Sequence, residues 1–130
     1  MSKKLSLDET IAHLKALDRD RDYLQLAERL KLLPAELPQK QEAIVAFWRG
    51  KLSALEGSYS EAIHYLARSA ELAPNNAAGK YLLGTSLARA EQWLDARQAL
   101  TSALELNPSL AAAQLELAAV QMALNDPAGA

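Results

Sequence analysis

Leu26, Leu30 and Leu33 recur at a spacing that places them on one face of a helix, and capping and turn signals mark where such stretches begin and end. Ser6-Leu7-Asp8-Glu9 has the form of a capping box, which predicts a first helix from about Leu7 to Leu17. Asp20 or Asp22 is placed to cap a second, which carries the three leucines. A third is expected from about Gln39 to Glu56, with a turn at Gly57-Ser58. Ser58-Tyr59-Ser60-Glu61 repeats the capping-box logic for a fourth helix running to Leu72. The fifth should cover roughly Asn76 to Ala90, the sixth Trp93 to Leu106, and the seventh Pro108 or Ser109 to Leu124. Short turns between seven helices favour antiparallel hairpins.

The chain also matches itself. Gly50 pairs with Gly84, Ala62 with Ala96, Leu66 with Leu100 and Pro74 with Pro108, every pair at the same interval. Glu71-Leu72-Ala73-Pro74 aligns with Glu105-Leu106-Asn107-Pro108, and Tyr59 aligns with Trp93. Upstream, Tyr23, Leu30 and Pro38 precede Tyr59, Leu66 and Pro74 by a slightly longer interval, a weaker copy with a short insertion. Downstream, Ala118 stands one interval after Gly84. The interval matches the period of roughly 34 residues found in helix–turn–helix repeats.

At these residues the sequence resembles the tetratricopeptide repeat family. Gly50 and Gly84 match the small position of helix A, Ala62 and Ala96 that of helix B, and Pro74 and Pro108 the end of helix B. Ala46, Lys80 and Arg49 depart from the family pattern. The resemblance implies an all-α fold: an α-solenoid of about three and a half hairpins coiled into a right-handed superhelix. It would form one domain over residues 1–130, with a degenerate repeat at about 7–40, repeats at 43–76 and 77–110, and a partial repeat at 111–130.

The resemblance further implies a concave groove lined by the A helices. Its facing positions would include Ile11 and Lys15, then Ile44, Phe47 and Lys51, then Tyr81, Thr85 and Arg89, then Leu115 and Met122. Phe47, Tyr81 and Leu115 fall at the same place in successive repeats and are expected to form an apolar ladder. Beside Lys51 and Arg89, that ladder suits an extended or helical peptide with apolar anchors and some acidic character. The competing expectation is that Phe47 and Tyr81 fill the core between hairpins, as Trp48 and Trp93 are expected to do. Relatives that clamp a C-terminal carboxylate resemble one another in groove Asn and Lys residues. Here those places hold Phe47, Trp48, Lys51, Tyr81 and Leu82, so a carboxylate clamp is not expected.

Composition sharpens this. Half of the residues are apolar, mainly Ala and Leu, which favour helix over strand. A formal net charge of −2 and the lack of a basic cluster argue against nucleic acid as a partner. No apolar run approaches a membrane span, and the N-terminus lacks a secretory stretch, so a cytoplasmic protein is expected. Cysteine is absent. His13 and His64 lie in no ligand motif, and Asp18, Asp20 and Asp22 alternate with Arg19 and Arg21 as a solvated charge run. No cofactor, metal or catalytic function is expected.

The C-terminal stretch differs. No Lys or Arg follows Arg97, and the last helix is apolar around much of its circumference. A solenoid normally ends on a polar face. The chain is therefore expected to be the first part of a longer protein, cut in mid-repeat. The alternative is self-association through the last helix, with Leu117, Val120 and Leu124 as the face of a homodimer. The function expected is a scaffold for a protein or peptide partner. The rival expectations are an accessory domain of a larger enzyme, such as a glycosyl- or sulfo-transferase, and a self-assembly module.

Overall fold

The computed structural model describes residues 5–126. Among them are seven α-helices and no strand: α1 (Leu7–Arg19), α2 (Tyr23–Leu30), α3 (Gln39–Leu55), α4 (Tyr59–Leu72), α5 (Ala77–Arg89), α6 (Trp93–Leu106) and α7 (Ala111–Asn125). No helix among the described residues is long and apolar enough to cross a membrane.

Local chemistry sets most boundaries. The Ser6 hydroxyl accepts the Glu9 N–H at 3.1 Å while the Glu9 carboxylate accepts the Ser6 N–H at 3.3 Å, a complete capping box on α1. Asp22, rather than Asp20, caps α2 through the Gln25 N–H, and Asn76 caps α5 through the Gly79 N–H. Ser58 does not repeat the box: its side chain makes no cap bond, and α4 starts from backbone bonds alone. The start of α7 also differs from expectation. Asn107 accepts both the N–H and the hydroxyl of Ser109, and Gln114 donates to the Pro108 carbonyl, so Asn107–Leu110 forms a turn and the helix begins at Ala111.

Three turns, between α1 and α2, α3 and α4, and α5 and α6, are built alike. Arg21, Gly57 and Glu91 have φ of 59°, 79° and 62°, the left-handed region. In each, the residue that follows donates its N–H back to a carbonyl five positions earlier: Asp22 to Leu17, Ser58 to Ser53, Gln92 to Leu87. This reversal satisfies carbonyls that the helix end would otherwise leave open. The α4–α5 and α6–α7 turns match as well, since Ala73 and Asn107 share an extended conformation (φ −140° and −142°) immediately before proline. Proline restricts its predecessor to that region.

Helices pack on their neighbours in sequence, and α3 also touches α5, as α5 touches α7. The pairs α3–α4 and α5–α6 approach closely at one glycine each. A methyl on Gly50 would lie 2.5 Å from Leu66 Cγ, and one on Gly84 would lie 2.6 Å from Leu100 Cγ. Two apolar clusters result. One joins Ile11, Leu14, Leu17, Leu26, Leu30, Val45 and Trp48 across α1–α3, and Leu33, just beyond α2, packs against it. The other joins Leu87, Ala96, Leu100, Ala113 and Val120 across α5–α7. Polar ties cross the α3–α4 pair: the buried Ser69 hydroxyl donates to the Ala43 carbonyl at 2.8 Å, and Arg68 bonds Glu42, while within α4 it also bonds Glu71. The Glu42 bond, with that to Glu71, holds the Arg68 guanidinium above its ordinary pKa.

Candidate functional site

The positions expected along a groove divide into three groups. Lys51, Tyr81, Thr85 and Arg89 come together around a crevice of about 260 Å³ between α3, α5 and α7, where Tyr59, Ser86 and Glu116 join them. Ile44 and Phe47 do not line this crevice; both are half-buried against the α1–α3 cluster. A methyl on Gly79 would meet the Phe47 ring at 3.6 Å, so this ring packs between α3 and the start of α5. Leu115 stands apart and is 74% exposed, while Tyr81 both packs on the α5–α7 cluster and lines the crevice. The expected ladder of Phe47, Tyr81 and Leu115 is therefore not one continuous exposed surface: one ring is a packing element, one a crevice wall, one an open side chain.

Other expectations need correction. Ile11, placed on the groove, is 8% exposed within the α1–α3 core, and Val120, placed on a self-association face, is 1% exposed within the α5–α7 core. Leu117 and Leu124 lean on that same cluster, half-buried. An apolar stripe in the sequence does not say which way it faces. Here Leu117, Val120 and Leu124 face the α5–α7 cluster, whereas Leu115 does not. Trp48 is buried and Trp93 half-buried, both as packing residues.

The electrostatics of the crevice follow from pairing. Lys51 Nζ sits 2.7 Å from Asp18 Oδ1 on α1 and 5.5 Å from the centre of the Tyr23 ring. Arg89 Nη2 lies 3.2 Å from Glu116 Oε1 on α7. Both cations are thus met by carboxylates of a neighbouring odd-numbered helix, α1 for α3 and α7 for α5. Asp18 is no part of a solvated charge run, since its side chain is three-quarters or more covered. Both cations have a counter-charge within the chain, which weakens the ground for expecting an acidic partner. Beside Arg89, which stays half-exposed, the crevice offers Leu55, the two tyrosines Tyr59 and Tyr81, and Leu82.

Two hydroxyls in α5 behave differently. Thr85 Oγ1 donates to the Leu82 carbonyl at 2.9 Å, which uses its one proton within its own helix and leaves the oxygen free to accept. Ser86 Oγ is buried and has no partner. The carbonyl that a serine at this position would bond, four residues back, is the one Thr85 already uses.

A second cavity of about 610 Å³ lies at the opposite end, walled by Leu7, Leu14, Leu33 and Leu37 with His13 and Arg29 among its lining. None of the expected groove residues reaches it. His64 stacks edge-on against Tyr65 at 5.3 Å. Among the described residues no three His, Asp or Glu side chains gather as a metal site.

Sequence reasoning missed Tyr59, Ser86, Glu116 and Asp18. None of them had a signal in the repeat register, which pairs Lys15 rather than Asp18 with Lys51; only the structure brings Asp18 to that lysine. No protein-family model matches the chain, and no curated protein matches it.

Proposed function

We propose that the chain is a protein-interaction module of the tetratricopeptide type, a right-handed α-solenoid that holds an apolar peptide segment in the α3–α5–α7 crevice. The observation that carries this reading is the convergence of Lys51, Tyr81, Thr85 and Arg89 on one crevice, although the whole of α4 separates the first from the others in sequence. The solenoid reading is supported by the matched turns at Arg21, Gly57 and Glu91 and by the two glycine–leucine contacts one repeat apart. The tyrosines are the expected anchors, because an aromatic ring combines large contact area with a polar tip. Lys51–Asp18 and Arg89–Glu116 frame the crevice as neutral pairs, which suits a segment whose main chain, rather than its charge, meets the polar rim.

The test is selection from a peptide-display library on the whole chain, followed by affinity measurement on Tyr81→Ala and Thr85→Val. A crevice binder loses about tenfold or more in affinity with Tyr81→Ala, as a hot spot does. Selected peptides that bind Tyr81→Ala as tightly as the parent would sink this assignment.

A further inference from the structure

We infer that the cleft between α2 and α4 is a second binding site, which takes the carboxylate of an Asp or Glu side chain in a peptide segment of a partner protein. Its floor is one stripe of α3, where Glu42, Val45, Arg49, Leu52 and Glu56 recur at steps of three and four. Lys51 and Leu55, which line the crevice, do not reach it. Two cavities of about 390 and 550 Å³ open along the stripe, and Arg49 and Tyr65 line both. Residues 31–38 join α2 to α3, a longer connection than residues 73–76 or 107–110, and Ala35, Glu36 and Leu37 from it wall the wider cavity.

The chain's own repeats show what is unusual here. One repeat after Arg49 stands Leu83, and one repeat further Leu117, and both lean on the α5–α7 cluster. His64 and Arg68 give way in the same register to Gln98 and Ser102. The corresponding surface, lined by Leu83, Gln98 and Ser102, holds a cavity of about 260 Å³. Where α5 and α7 place an apolar packing residue, α3 therefore places a guanidinium. It is half-buried, and its one bond among the described residues is long, from Nη2 to the Leu30 carbonyl at 3.5 Å. A charge drawn from water without a counter-charge costs stability. Leucine fits this position twice in the same chain, so packing does not account for the arginine.

The groups around Arg49 choose the ligand. Glu42 is taken by Arg68, and Glu36, Glu56 and Glu61, which also line the cavities, form no ion pair with Arg49. The Tyr65 hydroxyl makes no hydrogen bond among the described residues, and its ring stands edge-on against His64. A guanidinium fork and a phenol O–H that line the same space are matched donors for one carboxylate. Glu36 belongs to the wider cavity and Glu56 and Glu61 to the narrower, so negative charge stands on either side of Arg49. A segment with its acid in the middle and Lys or Arg on both flanks is complementary to that order.

Peptide-display selection on the whole chain tests this, with each selected peptide measured against Arg49→Leu, Arg49→Gln and Tyr81→Ala. The expected result is a class of peptides that carry an Asp or Glu flanked by Lys or Arg. Those peptides should lose about tenfold or more in affinity with both Arg49 variants, and as much when their own acid is replaced by its amide. They should bind Tyr81→Ala like the parent. In urea unfolding, Arg49→Leu should be at least as stable as the parent, following the precedent of Leu83 and Leu117. A selection that yields no peptide dependent on Arg49 overturns the proposal, and so does a dependent class that carries no acid. An Arg49→Leu chain that unfolds more readily than the parent also overturns it, since the guanidinium is then satisfied within the chain. Peptides lost with Tyr81→Ala alone belong to the crevice, so the two sites stand or fall separately.

Discussion

Arg21, Gly57 and Glu91 adopt the same left-handed backbone, but only one of them is a residue suited to it. A side chain there costs about 1–2 kcal/mol through crowding of Cβ and the carbonyl. Glu91→Gly should therefore stabilise the chain by about 0.5–1 kcal/mol in urea unfolding, and Gly57→Ala should destabilise it by about 1 kcal/mol. At Gly84 two effects compete. Alanine gains about 1 kcal/mol in helix propensity, but its methyl would lie 2.6 Å from Leu100 Cγ. Overpacking a tight core costs about 1–3 kcal/mol, so Gly84→Ala is expected to lower the melting temperature. Ser86 gives the opposite case: its hydroxyl is buried without a partner, and Ser86→Ala should be neutral or stabilising by up to about 1 kcal/mol. A loss of stability in that variant would mean the hydroxyl has found a partner in solution.

Among the elements, α2 is the weakest in its own right. It has eight residues, below the length at which an isolated helix persists in water. It holds because Leu26 and Leu30 enter the first core cluster. The α1–α2 pair is tied to α3 by the Lys51–Asp18 bridge, which is mostly covered by its neighbours. Such a pair lies between the surface case, worth at most about 1 kcal/mol, and the fully buried one. Asp18→Asn should accordingly cost about 1 kcal/mol and raise amide exchange in α1 and α2 before it affects α5 and α6. Equal acceleration throughout the chain would mean that the two clusters unfold as one unit.

For the whole molecule, the clusters at α1–α3 and α5–α7 are bridged by α4, and the candidate site lies where odd-numbered helices approach one another. Helices were legible from the sequence because their signals are local. The capping box at Ser6, the caps at Asp22 and Asn76, and the prolines after Ala73 and Asn107 act within four residues of themselves. The repeat was legible because Gly50 and Gly84 mark the same close contact twice. The candidate site was half legible. Lys51, Tyr81, Thr85 and Arg89 were placed by register, but register says nothing of pairing, so Asp18 and Glu116 went unseen and the crevice looked cationic when it is balanced.

The sequence by itself determined the seven helices and their order, because caps and turns depend on neighbours three, four and five residues away, and it carried the period because the same residues recur along the chain. Only the tertiary structure decided which side of each helix is covered. Phe47 and Tyr81 occupy the same repeat position, yet one packs between helices and the other opens on the crevice. On α7, Leu117, Val120 and Leu124 turn toward the α5–α7 cluster and Leu115 and Met122 turn outward, so the self-association face expected from sequence is covered. Rotation of a helix about its axis is set by the shape of the surface it meets. That surface is assembled from residues on other helices, as Leu66 meets Gly50 and Leu100 meets Gly84, so it exists only once the helices have packed.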